Sequence, residues 1–253
     1  MLLRSVGHYS NHNYVYSSNF DATETWLSES VFDQEILPAN YNIYRKDRPS
    51  RGGGVLIAVK DTIPVSVVPS NLSNNTPETI AVRLNLRKPI ILGCVYLPPC
   101  PSDSYMNDTI SNLTQIVQSN PTADTIIAGD FNLPNIQWDT LSSTSSSSSA
   151  FCVFVFDNSL IQLIDQPTHV KGNILDLVLS NSDDTVINLT IASDNWITTD
   201  HFEVTFLLPQ LIHPTRTTTP KYAFVMTSQK PIMMAFRHIC SILTTLHAYK
   251  VKM

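Results

Sequence analysis

Glycine is scarce in this chain, with 7 among 253 residues, and cysteine is scarcer, with 4. Cys94, Cys100, Cys152 and Cys240 show no Cys-x-x-Cys spacing, and a single His-x-Cys pair, His238 and Cys240, makes no metal-ligand set. That excludes a zinc ribbon or a disulfide framework and reads as reduced thiols in an intracellular protein. No apolar run approaches the roughly 18 residues a membrane span needs. The opening MLLRSVGHYSNHNYVY also lacks the apolar core of a secretory leader. A nuclear or cytoplasmic location without a membrane partner is therefore expected, and the Asn-x-Ser/Thr triplets at Asn71, Asn112 and Asn188 read as chance matches. An excess of positive charge is missing too: 16 Lys and Arg against 21 Asp and Glu leave a net charge of −5. A protein of that balance has no global footprint for nucleic acid, so any such contact must come from a local patch.

What is present is ample apolar material, 43% of the residues, enough for one large domain or two small ones. Its organising stretch is TIIAGDFNLP, Thr125 to Pro134. Ile126, Ile127 and Ala128 stop abruptly at Gly129, Asp130, Phe131 and Asn132, the pattern of a buried strand that delivers polar side chains at its carboxyl end. Asp130 and Asn132 would share one face if the backbone stays extended, where they could serve a metal, a water or a phosphate. A plain turn has the same composition, and this stretch alone does not separate the two.

Upstream, Glu24 in Thr23–Leu27 is a second candidate carboxylate, equally readable as a helix-start Glu beside a capping Thr. Arg45, Lys46, Arg48 and Arg51 form the most basic short patch, a solvated loop or a groove for a phosphate backbone. GGGVLIAV follows, and without a Lys-Ser/Thr ending it is a glycine turn feeding a strand rather than a phosphate-cradling loop. Strands are predicted at Val65–Val68, Thr79–Leu86 and Ile90–Tyr96, the last held at its end by Pro98 and Pro99. Met106, Ile110, Leu113, Ile116 and Val117 recur at helical spacing between Ser102 and Ser119. The serine run from Ser142 to Ser149 reads as a mobile polar linker, and Phe151, Phe154, Val155 and Leu160–Ile164 as a helix packing back. In Gln166–Asn181, Asp176 sits inside an apolar strand, a costly place unless it has a partner. Another strand is predicted at Ile187–Ile191, and Asp200 and His201 precede one more. His201 could form a plain turn or, paired across space with an acid such as Asp176, become an oriented imidazole. Beyond Leu211 the texture changes, and Ile232, Phe236, Ile239, Leu243 and Leu246 share one helical face.

TETWL, RGGGVLIAV, GCVYLPP, AGDFN, QPTHVKGNILDLVLSN and TDHFEVTF occur in that order over roughly residues 20 to 208. In that order they resemble the endonuclease/exonuclease/phosphatase superfamily, more narrowly the apurinic/apyrimidinic-type endonuclease domain of non-LTR retrotransposons. The resemblance implies an α/β (α+β) fold of DNase I-like type: a two-sheet β-sandwich flanked by helices. It also implies Mg²⁺, with Mn²⁺ as a substitute, and DNA cleaved by in-line attack of water. Carried over by position, Glu24 and Asp200 match metal-binding acids and Tyr96 a tyrosine at the scissile phosphate. Asp130 matches the aspartate that positions or deprotonates water, and Asn132 its neighbour. Asp176 matches the partner of the terminal histidine, and His201 that histidine. The departures are Thr199 in place of the usual Ser before Asp-His, and no strand-helix unit carrying an Asn ahead of Glu24, since Asn11 and Asn13 lie too close to it. The expected organisation is an unassigned segment 1–20, the domain at 21–210 lacking its first strand and helix, and a divergent tail 211–253 with one helix. A monomer with no protein partner is expected. Two alternatives stay open: a catalytically silent, truncated remnant, and a phosphoinositide or sphingolipid phosphodiesterase on the same fold.

Overall fold

The computed structural model describes residues 17–211 except 38, 51, 70–76 and 193–198, together with 223–228. Its strands form two sheets of six. The first runs β10 (Ile187–Ala192), β11 (Glu203–Leu207), β12 (Ala223–Ser228), β1 (Ser17–Thr23), β3 (Val55–Lys60), β2 (Tyr41–Lys46). The second runs β4 (Val65–Val67), β5 (Glu78–Leu84), β6 (Ile90–Tyr96), β7 (Asp124–Asp130), β9 (Asp176–Ser180), β8 (Ile161–Gln162). Helix α1 (Asp33–Ile36) is a single turn, whereas α2 (Asp103–Gln118) and α3 (Ser146–Asp157) are full helices.

The packing follows from which strands are apolar on both faces. β6 and β7 are buried at every position, as interior strands covered on both sides must be. Their inner faces (Leu92, Cys94, Ile126, Ala128) meet Val55, Ile57 and Val59 of β3 and Val204 and Phe206 of β11. Their outer faces (Ile91, Val95, Ile127) pack with Phe131, Met106, Leu113 and Ile116 of α2, and Phe151, Phe154 and Val155 of α3. The result is the expected two-sheet sandwich with helices on one side. Among the described residues no helix is long and apolar enough to cross a membrane.

Three stretches fold differently from their sequence reading. Ser146–Ser149 opens α3 instead of forming a loop. The hydroxyls of Ser146 and Ser147 donate to Asp103 Oδ1 at 3.2 and 2.6 Å, and that of Ser149 donates to the Ser143 carbonyl at 2.8 Å. Tertiary acceptors and the pull of the Phe151–Val155 face thus override the low intrinsic preference of serine. The helix ends at Asp157, and Ile161–Gln162 turns into a short strand. Asn132 is not extended: at φ 47° it lies in a left-handed turn. From the tail, Ala223–Ser228 enters the first sheet, parallel to β1 and antiparallel to β11. The tail helix anticipated around Ile232–Leu246 lies outside the described residues, as do Asn11 and Asn13.

Candidate active site

Strand register builds the site. Parallel β6 and β7 pair Tyr96 with Asp130, and antiparallel β7 and β9 pair Asp130 with Asp176. Three residues far apart in sequence thereby form one row across adjacent strands, with Glu78 of β5 continuing it beside Tyr96. Gly129 permits the close strand approach. It has φ 145°, and a Cβ there would lie 1.9 Å from the Val95 carbonyl oxygen, so no other residue fits.

The opposite sheet supplies the rest. Glu24 follows β1 directly and sits at φ 51°, where a side chain strains the backbone. Its Oε1 accepts the Tyr96 hydroxyl at 2.6 Å. Asp200 and His201 precede β11, and the Thr199 hydroxyl accepts the His201 amide at 3.2 Å. His201 Nδ1 lies 2.8 Å from Asp176 Oδ2, and its Nε2 lies 3.9 Å from Asp130 Oδ2. Asn132 clamps Asp130: its backbone N–H donates to Oδ1 at 3.1 Å and its amide donates to Oδ2 at 2.8 Å. The same amide donates to the Leu97 carbonyl at 2.9 Å. The proximity of Asp130 and Asn132 thus comes from a turn rather than from strand alternation.

The electrostatics are those of crowded, buried acids. Burial first, and the Asp176 charge second, push Asp130 up to about 8, against the pull of His201 and the two Asn132 hydrogen bonds. Burial alone would lower His201, but the hydrogen bond and charge of Asp176, with Asp130 and Asp200 behind them, raise it to about 9. Burial and the charge of Asp130 raise Tyr96 to about 12. Asp21, on the inner face of β1 opposite Ile57, is fully buried, and neither carboxylate oxygen finds a hydrogen-bond partner on another residue. Its proton affinity is raised well above the ordinary range, by burial first and by Asp176 in addition.

Among the described residues two groups bring three ligand atoms within 4.8 Å of one another: Asp130, Asp176 and His201, and His169, Asp200 and His201. Glu24 belongs to neither. The basic patch largely turns inward: Arg45 pairs with Asp33 at 3.3 Å, Arg48 with Glu78, and Lys46 donates to the Pro77 carbonyl at 2.9 Å. Arg48 also lies 5.7 Å from the Tyr96 ring centroid, which ties it to the site's wall. A groove of about 440 Å³ between α2 and α3, lined by Ile110, Val153 and Phe154 among others, holds none of these groups.

Sequence reading missed Asp21, Glu78, Thr168 and His169. The buried Thr168 hydroxyl accepts the amides of Leu175 and Asp176, both at 3.0 Å, fixing the start of β9. Thr168 and His169 stood in view inside QPTHVKGN, but a Thr-His pair in a loop carries no periodic signal. Glu78 stands just ahead of the predicted strand Thr79–Leu86, where a lone acid carries no signal.

Fold and site together are those of a two-sheet sandwich with a buried cluster of acids and histidine where the sheets meet. Residues 90–205 match the model of the endonuclease-reverse transcriptase family. No curated protein matches the chain. Among solved structures it is similar to the endonuclease domain of TRAS1, a telomere-specific non-LTR retrotransposon, at 15% identity and TM-score 0.56, over 76% of this chain and 98% of that one. It is also similar to the 3'-5' exonuclease of Neisseria meningitidis at 15% identity and TM-score 0.59, over 76% and 89% of the two chains. An AP endonuclease from Archaeoglobus fulgidus follows at 14% and 0.56, over 76% and 88%. At these identities the likeness speaks for the fold.

Proposed function

We propose that the chain is a divalent-metal-dependent endonuclease that nicks DNA by in-line attack of water. The observation that carries this reading is the row Tyr96–Asp130–Asp176 closed by His201 across the gap between the sheets. The donor set fits a hard cation: several oxygen ligands crowd together, and burial, with the Asp176 charge behind it, makes Asp130 hold a proton unusually tightly. Glu24 and Asp200 would hold the ion, Mg²⁺ or Mn²⁺. When bound, it supplies neutralisation of phosphate charge and support for the departing oxygen.

The remaining work falls to the protein's own groups. Raised to about 8, Asp130 keeps its own proton at neutral pH; its ionised carboxylate, the form able to take a proton from water, would be favoured beside a bound cation. Asn132 fixes the direction of that carboxylate. His201, held at Nδ1 by Asp176 and raised to about 9, is cationic at neutral pH and presents an Nε2 proton to a phosphate oxygen. Tyr96 offers its hydroxyl to the phosphate once it leaves Glu24.

A supercoiled-plasmid nicking assay tests the reading. Relaxation is expected with Mg²⁺, none with EDTA, and loss with Asp130→Ala or His201→Ala. One observation favours a second reading, a catalytically silent domain: the Glu24 carboxylate bonds Tyr96 and lies in neither ligand cluster. No nicking by folded protein with Mg²⁺ or Mn²⁺ would establish that second reading.

A further inference from the structure

His169 is buried beside His201, and the reading above gives it no task. Its ring is constrained from three sides. The Lys171 amide donates to Nδ1 at 3.1 Å, so that nitrogen keeps its lone pair and the ring proton belongs on Nε2. Nε2 faces Asp200, 3.5 Å from Oδ2. The ring meets that of His201 edge to face, with centroids 4.9 Å apart and planes at 82°. The backbones are tied as well. His169 bridges to His201, the Val170 amide donates to the Asp200 carbonyl at 2.9 Å, and the Phe202 amide donates to Thr168 at 2.7 Å.

These three side chains form a ready cluster for a metal of their own, but the ring proton argues against it. A ligating imidazole must offer Nε2 a lone pair, and the Lys171 amide keeps the proton there. What the proton can do is hold a carboxylate. Asp200 needs holding, because its side chain is 63% exposed and His169 is the one described side chain paired with it. A rotating surface carboxylate must surrender rotamer freedom to bind an ion, and a fixed donor removes part of that cost beforehand.

The geometry points to His169 as the positioning residue of Asp200: its Nε2–H aims the exposed carboxylate into the site, and its ring edge holds the plane of His201. The inference rests on Asp200 being a metal ligand, as proposed above. Mn²⁺ binding to the full chain, followed by electron paramagnetic resonance, reads it without reference to turnover. His169→Phe keeps a ring of similar size and removes the donor, and its Mn²⁺ affinity is expected to fall ~10-fold, the lower end for lost outer-shell partners of a metal ligand. His169→Gln restores an amide N–H near the place of Nε2 and is expected to recover affinity to within ~3-fold of the parent. In an Asp200→Asn background, itself weaker for Mn²⁺, His169→Phe should cost nothing further.

Parent-like affinity in His169→Phe overturns the inference alone. So does a His169→Gln variant that melts like the parent yet binds as weakly as the Phe variant, or a full His169→Phe loss persisting in Asp200→Asn. Parent-like affinity in Asp200→Asn removes Asp200 from the metal site and takes the proposed ligand set down with the inference.

Discussion

Replacing Asp21 by Asn should stabilise the protein, and by an amount that grows with pH. Asp21 is completely buried with no hydrogen-bond partner for either oxygen on another residue, so the fold strongly favours its protonated form. In the unfolded chain the same group ionises near pH ~3.9. Its folded proton affinity is raised, so above that pH the native state binds more protons than the unfolded state, and stability falls as pH rises. The slope from this one group reaches about 1.4 kcal/mol per pH unit, and it continues until the folded carboxyl itself ionises. Asn carries no such proton, occupies nearly the same volume, and leaves a comparable unsatisfied amide, so the two chains differ mainly in this linkage. Urea unfolding of both between pH 4.5 and 7.5, in EDTA so that no cation intervenes, measures it. The curves should nearly meet at the acid end and diverge steadily above, with the Asn variant the more stable. Parallel curves would refute the reasoning, as would an Asn variant that is less stable at pH 7; either would mean that Asp21 has a partner, such as a buried water, that satisfies its charge.

Asp176→Asn removes the charge bonded to His201 Nδ1 at 2.8 Å, so the imidazole should titrate ~1 unit or more below its present value of about 9, followed by NMR of the ring protons. An unchanged titration would show that Asp130 and Asp200 hold the proton instead. Gly129→Ala places a Cβ 1.9 Å from the Val95 carbonyl oxygen at a φ of 145°, and should cost ~3 kcal/mol or more in denaturant unfolding, because both adjoining strands belong to the core. A loss below ~1 kcal/mol would mean that β6 and β7 can separate there without penalty.

Much of the domain was legible locally. The apolar runs of Ile90–Tyr96 and Ile126–Ala128 mark strands buried on both faces, because an exposed face would demand alternation. The spacing of Met106, Leu113 and Ile116 marks the helix that covers them. As a set, the candidates Glu24, Tyr96, Asp130, Asn132, Asp176, Asp200 and His201 came from the family resemblance rather than from any local signal. The serine run was misread because its hydroxyls are satisfied by Asp103 and Ser143, acceptors that local composition does not reveal.

By itself, then, the sequence determined which residues could ionise, which strands could be buried on both faces and where each would end, since these depend on side-chain type and period. Only the tertiary structure decided the row Tyr96–Asp130–Asp176, because pairing register is a relation between strands and a slip of one residue would turn each side chain to the opposite face. It also decided that Arg45 and Arg48 face acids within the fold, that β12 stands between β1 and β11, and that His169 meets Asp200. The proton affinities of Asp21, Asp130 and His201 belong to that second group, because burial and neighbouring charge exist only once the two sheets have closed on one another.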